Sequence, residues 1–307
     1  MASLAFVVGR VDLAKVWATL STANALFVWG MLGATCADLA FRAVRWHVLL
    51  GPFRRLGYLR VLAYLLVGYL ANNVLPARLG ELVRSHYLGD REGLSRATVL
   101  GTIVVERVVD TAVLVAIASV AILILHVRGI VANAVLLGLG GTGLLVVGLA
   151  VALVAHRLPF GDRLGARLER WPVARSVLGR LGSGLAVARR PGIVIRAIIW
   201  SGLAWGATIL GFAAAGHAVG LELTWSQAAL LGSGVALSTV IPAGPGYVGT
   251  FELAGVQIAA VFGILPDAAF ALTLLAHASS LVITSVGGAV ALIALGPGRS
   301  VNLPRSA

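Results

Sequence analysis

The sequence predicts an all-α, polytopic helical membrane protein with two inverted repeats, each containing a broken re-entrant helix pair. Three observations predict it. First, 59% of the 307 residues are hydrophobic and only 12% are charged. A soluble domain carries roughly 25% charged residues, so this chain has too little charge to cover a globule. Second, seven long stretches contain no Asp, Glu, Lys or Arg: Val16–Ala37, Val61–Ala77, Thr111–Val127, Gly129–His156, Ala197–Leu221, Leu223–Phe251 and Ala268–Gly298. A bilayer core needs about 20 apolar residues per helix. Third, two of these stretches are broken at matching proline motifs. Together these exclude an ordinary soluble enzyme, a disordered tail and a small secreted scaffold.

The charges fix the order of the elements. The net charge is +12, and every basic residue except Lys15 is arginine. Arg42–Arg60 holds five arginines and no acid, and Arg157–Arg190 holds eight arginines with Asp162 and Glu169. Both read as positive-inside loops facing anionic lipid rather than nucleic acid. The first crossing is then the helix near Ala25–Phe41, running outside to inside. Thr98–His126 runs outward, Ile130–Ala155 returns, Ile193–Gly216 goes out, and Ala268–Leu295 returns with Arg299 and Arg305 inside. For this order to close, Val61–Arg91 and Ser226–Gly263 each enter and leave on one side, the first opening to the cytoplasm and the second to the exterior. The whole chain, 1–307, is one integral membrane domain of the cytoplasmic membrane with its C-terminus inside. Its halves are about 16–155 and 193–296, joined by a basic amphipathic cytoplasmic segment, 156–192. In that segment Phe160, Leu164, Leu168 and Trp171 share one helical face, and Leu178, Leu181 and Leu185 another. That spacing suits helices lying on the inner leaflet, or a solvated connector. The apolar run Ser3–Val8 is too short to cross and has no basic flank or cleavage site, so it reads as a shortened first helix rather than a signal peptide.

The two broken segments share a pattern. Val74-Leu75-Pro76-Ala77-Arg78-Leu79-Gly80-Glu81 and Val240-Ile241-Pro242-Ala243-Gly244-Pro245-Gly246 both read Val-(Leu/Ile)-Pro-Ala-x-x-Gly, followed by a carboxylate, Glu81 or Glu252. Proline removes a helix hydrogen bond, and glycine permits the turn. In hydrocarbon the freed backbone groups cost several kcal/mol each, so such breaks belong where protein or a polar cavity surrounds them. Broken helices meeting near the midplane, from opposite faces, build transport sites whose half-helix N-termini suit anions. Two unrelated proline kinks would give the same strings.

Ionisable residues mark the same region. Glu106 and Asp110 lie four apart on one helical face, Arg107 reaches Asp110 at i,i+3, Glu81 and Arg84 have that same spacing, and Asp38 and Arg42 are four apart. Arg78, Arg84 and Arg107 suit a lipid phosphate, because the guanidinium fork donates two parallel hydrogen bonds. The same charges also fit internal ion pairs or side chains snorkelling to water. Asn72 and Asn73 stand before the first break, where they can satisfy opened backbone groups. His277 fits a proton relay, a headgroup ligand or a hydrogen-bonded core histidine. Trp46, Trp171 and Trp225 read as interfacial anchors, and Gly138, Gly140, Gly141 and Gly143 as a helix-packing face within one chain or between two. Gly244–Gly249 satisfies GxGxxG only as a string, with no βαβ unit around it. Cys36 is the single cysteine and the six histidines have no metal-ligand spacing, so no metal, cofactor or catalytic residue is assigned.

Taken in order, Arg45-Trp46, Asn73-Val74-Leu75-Pro76-Ala77-Arg78-Leu79-Gly80-Glu81 with Arg84, Glu106-Arg107-x-x-Asp110, and Pro242-x-x-Pro245-Gly246-x-x-Gly249-x-Phe251-Glu252 resemble the transmembrane region of lysylphosphatidylglycerol synthases. The resemblance runs from about Val11 to Leu295 and fits the stand-alone, flippase-like form of that region. In two-part members this region is held to move aminoacylated phosphatidylglycerol between leaflets, while a separate soluble domain makes the lipid from aminoacyl-tRNA. That domain does not follow the last span here, so the resemblance does not imply lysyl transfer or an enzyme. Together with the intramembrane charges and His277, these motifs give an expected substrate-translocation set of Asn73, Pro76, Arg78, Gly80, Glu81, Arg84, Glu106, Arg107, Asp110, Pro242, Gly246, Gly249, Glu252 and His277. The partner is a membrane phospholipid or polyprenyl-phosphate lipid. Stand-alone relatives are linked to isoprenoid-linked glycans and hopanoids as well. No nucleotide-binding loop is present, so a gradient or the lipid's own concentration difference would drive movement. The competing readings are a non-transporting partner of a lipid or glycan synthase and an intramembrane lipid-modifying enzyme.

Overall fold

The computed structural model describes residues 2–76, 79–154, 172–239 and 244–296. All regular structure among them is helical. Two short helices, α1 (Ala2–Val8) and α2 (Leu13–Ser21), precede α3 (Ala25–Leu50). The apolar run Val16–Ala37 is therefore not one helix. Thr22 returns its hydroxyl to the Ala18 carbonyl, and Asn24 caps α3 by accepting the Leu26 amide at 3.0 Å. A side chain that serves the backbone locally starts a new helix even inside an apolar stretch.

There follow α4 (Tyr58–Val74), α5 (Gly80–Glu92), α6 (Arg96–Leu125), α7 (Ile130–Val154), α8 (Pro172–Leu185), α9 (Pro191–Ala218), α10 (Trp225–Ser238), α11 (Thr250–Ala260) and α12 (Pro266–Leu295). Five of these helices are long and apolar enough to cross a membrane: α3, α6, α7 through Gly148, α9 and α12. They coincide with the five crossings read from the charge pattern. Their outer faces carry Leu123, Ile130, Leu137 and Ile293, each at least 73% exposed. So much large apolar surface suits lipid as solvent.

The remaining long helices form two shorter pairs. At about 1.5 Å per residue, α4 and α5 reach about 26 and 20 Å, and α10 and α11 about 21 and 17 Å, against a hydrocarbon core of about 30 Å. Glu92, at the end of α5, returns to the start of α4, where it accepts from the Tyr64 hydroxyl at 2.8 Å and pairs with Arg60 and Arg54. The α4–α5 pair therefore begins and ends at one end of the bundle. Its core there contains Leu49 and Leu50 from the end of α3, Val99 from the start of α6 and Ile193 from the start of α9. The α10–α11 pair packs in a separate core with Met31 from the start of α3, Ala121 from the end of α6, Phe212 from the end of α9 and Leu272 from the start of α12. The two pairs thus occupy opposite ends.

Long-range packing follows an exchange pattern. Helix α3 runs antiparallel to α9, through Asn24–Ala218, Asp38–Thr208 and Arg45–Ser201. Helix α4 packs on α12, and α10 on α6; α2 packs on α12, and α8 on α6. Helix α8 is not simply laid on a surface. Gly184 meets Gly101 of α6, and Thr98 donates to the Arg180 carbonyl at 3.1 Å. The rest of the amphipathic segment, with Phe160, Leu164, Leu168 and Trp171, lies outside the described residues.

Helices α4 and α5 cross at close range. A Cβ on Gly80 would lie 2.1 Å from the Gly68 carbonyl oxygen and 2.5 Å from Asn72 Oδ1. Gly80→Ala therefore forces the pair apart and is expected to cost about 1–3 kcal/mol, as other overpacked sites do. Gly57→Ala, at a position with no atom within 4 Å, is the control and should stay within about 0.5 kcal/mol. Thermal midpoints in detergent check both.

Several placements differ from the sequence reading. Arg42 and Arg45 belong to no loop, because α3 continues to Leu50 and buries both. Trp46 is not interfacial; it is fully buried, with its indole N–H donated to Thr102. Trp225 is exposed, as an anchor would be, and Trp171 lies outside the described residues. Gly138 meets Val115, whereas a side chain at Gly140, Gly141 or Gly143 would meet nothing within 4 Å among the described residues.

Candidate functional site

Between the two end cores lies a cavity of about 690 Å³, walled by α3, α4, α5, α6, α9, α10, α11 and α12. That volume is in the range of small-molecule sites. Its floor is a continuous ion-pair network inside the bundle. Glu106 accepts from three arginines: Arg45 at 3.1 Å, Arg84 at 2.9 Å and Arg107 at 2.6 Å. Asp110, one helical turn on, accepts from Arg45 at 2.5 Å, Arg42 at 3.2 Å and the Trp205 indole at 2.9 Å. Asp38 completes the row by holding Arg42 at 2.7 Å, and Thr208 donates to it. Arg84 stacks over Trp46 and Arg42 over Trp205. Arg45 and Glu106 are wholly buried.

Burying charge this deeply is costly unless every charge is paired. Four guanidiniums against three carboxylates leave one positive charge in the connected set. Glu81 faces the same cavity, and its Oε2 and the Nε atoms of Arg84 and Arg107 have no hydrogen-bond partner among the described residues. Buried polar atoms without partners are rare and call for an explanation. All three belong to side chains that line one chamber.

The first break is held as the sequence suggested, in part. Asn72 Oδ1 accepts the Gly80 amide at 2.7 Å, satisfying the first N–H of α5. Asn73 instead donates to Thr284 and Ser285 and ties α4 to α12. At the second break Glu252 accepts the Gly249 amide at 2.6 Å. The leading amide at each break is thus taken by the protein itself and is not open to an anion. Both nitrogens of His277 are engaged, Nδ1 with Glu252 at 2.5 Å and Nε2 with the Gly246 carbonyl at 2.8 Å. Outside the bundle core, Asp90 near the end of α5 accepts from Arg96 at the start of α6, and those hydrogen bonds hold its carboxyl below the ordinary value.

Of the residues expected to act together, Asn73, Gly80, Glu81, Arg84, Arg107, Asp110, Gly246 and His277 line the cavity, with Glu106 and Glu252 directly behind. Pro76 and Gly249 stand at the breaks and are not among its lining residues. Arg78 and Pro242 lie outside the described residues. Glu81 and Arg84, expected as an i,i+3 pair, are not bonded to each other; Arg84 turns to Glu106 instead. Arg42, Arg45, Asp38, Ser201, Trp205 and Asn72 belong to the site and were not in the expected set.

Residues 1–288 match the family model described as the lysylphosphatidylglycerol synthase TM region. The chain belongs to this family. The lysylphosphatidylglycerol synthase TM region is a membrane domain, in agreement with the five apolar helices. A curated relative is Glycosyltransferase AglD of Haloferax volcanii, 26% identical over 349 aligned residues that cover 99% of this chain and 54% of the relative. The chain therefore spans about half the length of the curated relative it matches.

Proposed function

We propose that this chain moves an anionic or phosphate-bearing lipid between leaflets by passing its headgroup through the 690 Å³ cavity. The observation that carries this reading is that two arginines lining one chamber deep in the bundle, Arg84 and Arg107, each keep a guanidinium nitrogen without a hydrogen-bond partner among the described residues. A guanidinium N–H to phosphate is among the stronger hydrogen bonds available. The free Glu81 oxygen would take a hydroxyl or amine of the same headgroup. The exchange of packing partners between the two halves, and the short helix pairs at opposite ends, support two inverted repeats with re-entrant pairs. Repeats of that kind permit a central site to open to either face in turn. Arg54, Arg55, Arg60, Arg91, Arg189 and Arg190 lie at the α4–α5 end, so that end is the cytoplasmic one by the positive-inside rule.

The test is reconstitution into liposomes carrying fluorescent phosphatidylglycerol or a labelled polyprenyl phosphate. Protein-dependent leaflet exchange of chemically unchanged lipid is the expected result; no exchange of either lipid overturns it. A second reading has one specific observation behind it, the name and double length of the relative. By that reading the chain is a non-transporting partner of a lipid or glycan synthase, and neither movement nor conversion of lipid would be seen. Chemical conversion of the labelled lipid would instead identify an intramembrane enzyme.

A further inference from the structure

The α10–α11 tip carries a device that the Arg–carboxylate network does not need. Gly246 and Tyr247 both hold left-handed φ, 62° and 60°. For a bulky residue such as Tyr247 that conformation is strained, and it persists only where the surroundings impose it. The tip is held from α12 by His277, whose ring also stacks on Phe251 with centroids 4.0 Å apart. His277 Nε2 faces the Gly246 carbonyl, which can only accept, so Nε2 carries a hydrogen. Its Nδ1 faces Glu252 Oε1 at 2.5 Å, and a second hydrogen must lie between those two atoms. Whether that hydrogen sits on nitrogen or on oxygen, the pair holds one shared proton and is neutral overall. Without it, a lone pair on Nδ1 opposes a carboxylate lone pair at hydrogen-bond distance, in a site where both residues are at least 95% buried.

We propose that the Glu252–His277 pair is a proton-binding site that latches the tip of the second helix pair, and that loss of its proton releases the tip. His277 lines the cavity, so the departing proton can leave the pair through it. Glu252 also bonds the Gly249 amide, so the repulsion is transmitted directly to the start of α11. The other titratable groups facing this cavity are Asp38 and Arg42 on α3, Tyr69 on α4, Glu81 and Arg84 on α5, Arg107 and Asp110 on α6, and Tyr247 in the tip itself. Helix α10 has no titratable residue; α9 contributes only Arg196 and His217, and α1 and α2 with their link only Arg10, Asp12 and Lys15. If the lipid-moving reading holds, this latch couples movement to a proton gradient; that last step rests on that reading, the latch itself does not.

Hydrogen exchange of the 244–253 peptide in purified full-length protein tests the latch without any transport assay. From about pH 5.5 to about pH 9, protection corrected for the intrinsic rate should fall roughly tenfold or more, the factor for one hydrogen bond to a charged group. Glu252→Gln replaces the shared proton by an amide hydrogen: its N–H₂ donates to Nδ1 and its oxygen accepts from Gly249. That variant should stay protected at both ends of the pH range. Constant protection in the unmodified protein overturns the proposal, and so does an equal fall in Glu252→Gln. In liposomes, lipid exchange indifferent to a pH gradient, with no pH response of the peptide, removes the latch and leaves transport standing. A pH-responsive peptide in a protein that moves no lipid removes transport and leaves the latch.

Discussion

Glu106→Gln is expected to destabilise the folded protein by about 3–5 kcal/mol, the range for removing one partner of a buried ion pair. The substitution keeps volume and shape, so packing is not the cause. Glu106 is the sole anion shared by Arg45, Arg84 and Arg107. Of these, Arg84 has no other carboxylate partner among the described residues, whereas Arg45 and Arg107 can lean on Asp110. Its loss leaves the Arg84 guanidinium, stacked on the Trp46 ring, with no paired anion among the described residues. The expected observation is a lower midpoint for loss of monodisperse protein on heating in detergent. Adding Arg84→Met removes the stranded charge, so the double variant should recover part of the loss; contacting groups are not additive. A Glu106→Gln protein as heat-stable as its parent would mean that the network is screened by solvent and is not a dry core.

What could be read from the sequence was whatever the physics writes locally. The five crossing helices were legible because hydrocarbon forbids charge over about 20 residues, and the α4 break because proline cannot continue a helix. Asp38–Arg42 and Arg107–Asp110 were legible because a helix fixes i,i+3 and i,i+4 neighbours. Pairings between helices left no such mark. Arg45 bonds Glu106 and Asp110 across 61 and 65 residues, and a run of arginines without acids looks the same whether solvated or buried. Arg84 chose Glu106, 22 residues away, over Glu81 three away, because α5 presents it to α6 rather than along its own axis. Trp46 read as an interfacial anchor, and Trp205 carried no mark of a role. Each proved to be a hydrogen-bond donor under a guanidinium, a role that depends on which helix happens to face it. The Glu252–His277 pair spans two elements and was visible only as two isolated titratable residues.

Arg107→Gln should separate transport from stability. Arg107 is the most open of the four arginines, with its side chain 35% exposed. Glu106 retains Arg45 and Arg84 without it, so the bundle keeps its buried pairing and the thermal midpoint should fall by no more than about 1 kcal/mol of stability, as for a partly solvated pair. The cavity, however, loses one of its two lining arginines that keep a guanidinium nitrogen without a hydrogen-bond partner among the described residues. A charge-assisted hydrogen bond contributes about 1.5–3 kcal/mol, so leaflet exchange of a phosphate lipid should slow roughly 10- to 100-fold. Arg107→Lys keeps the charge but not the planar fork, and its rate should fall between the two. A folded Arg107→Gln protein that moves lipid at the unmodified rate would place the route elsewhere. The arginine row would then be an internal brace, and the anion it was built for would be Glu106 itself.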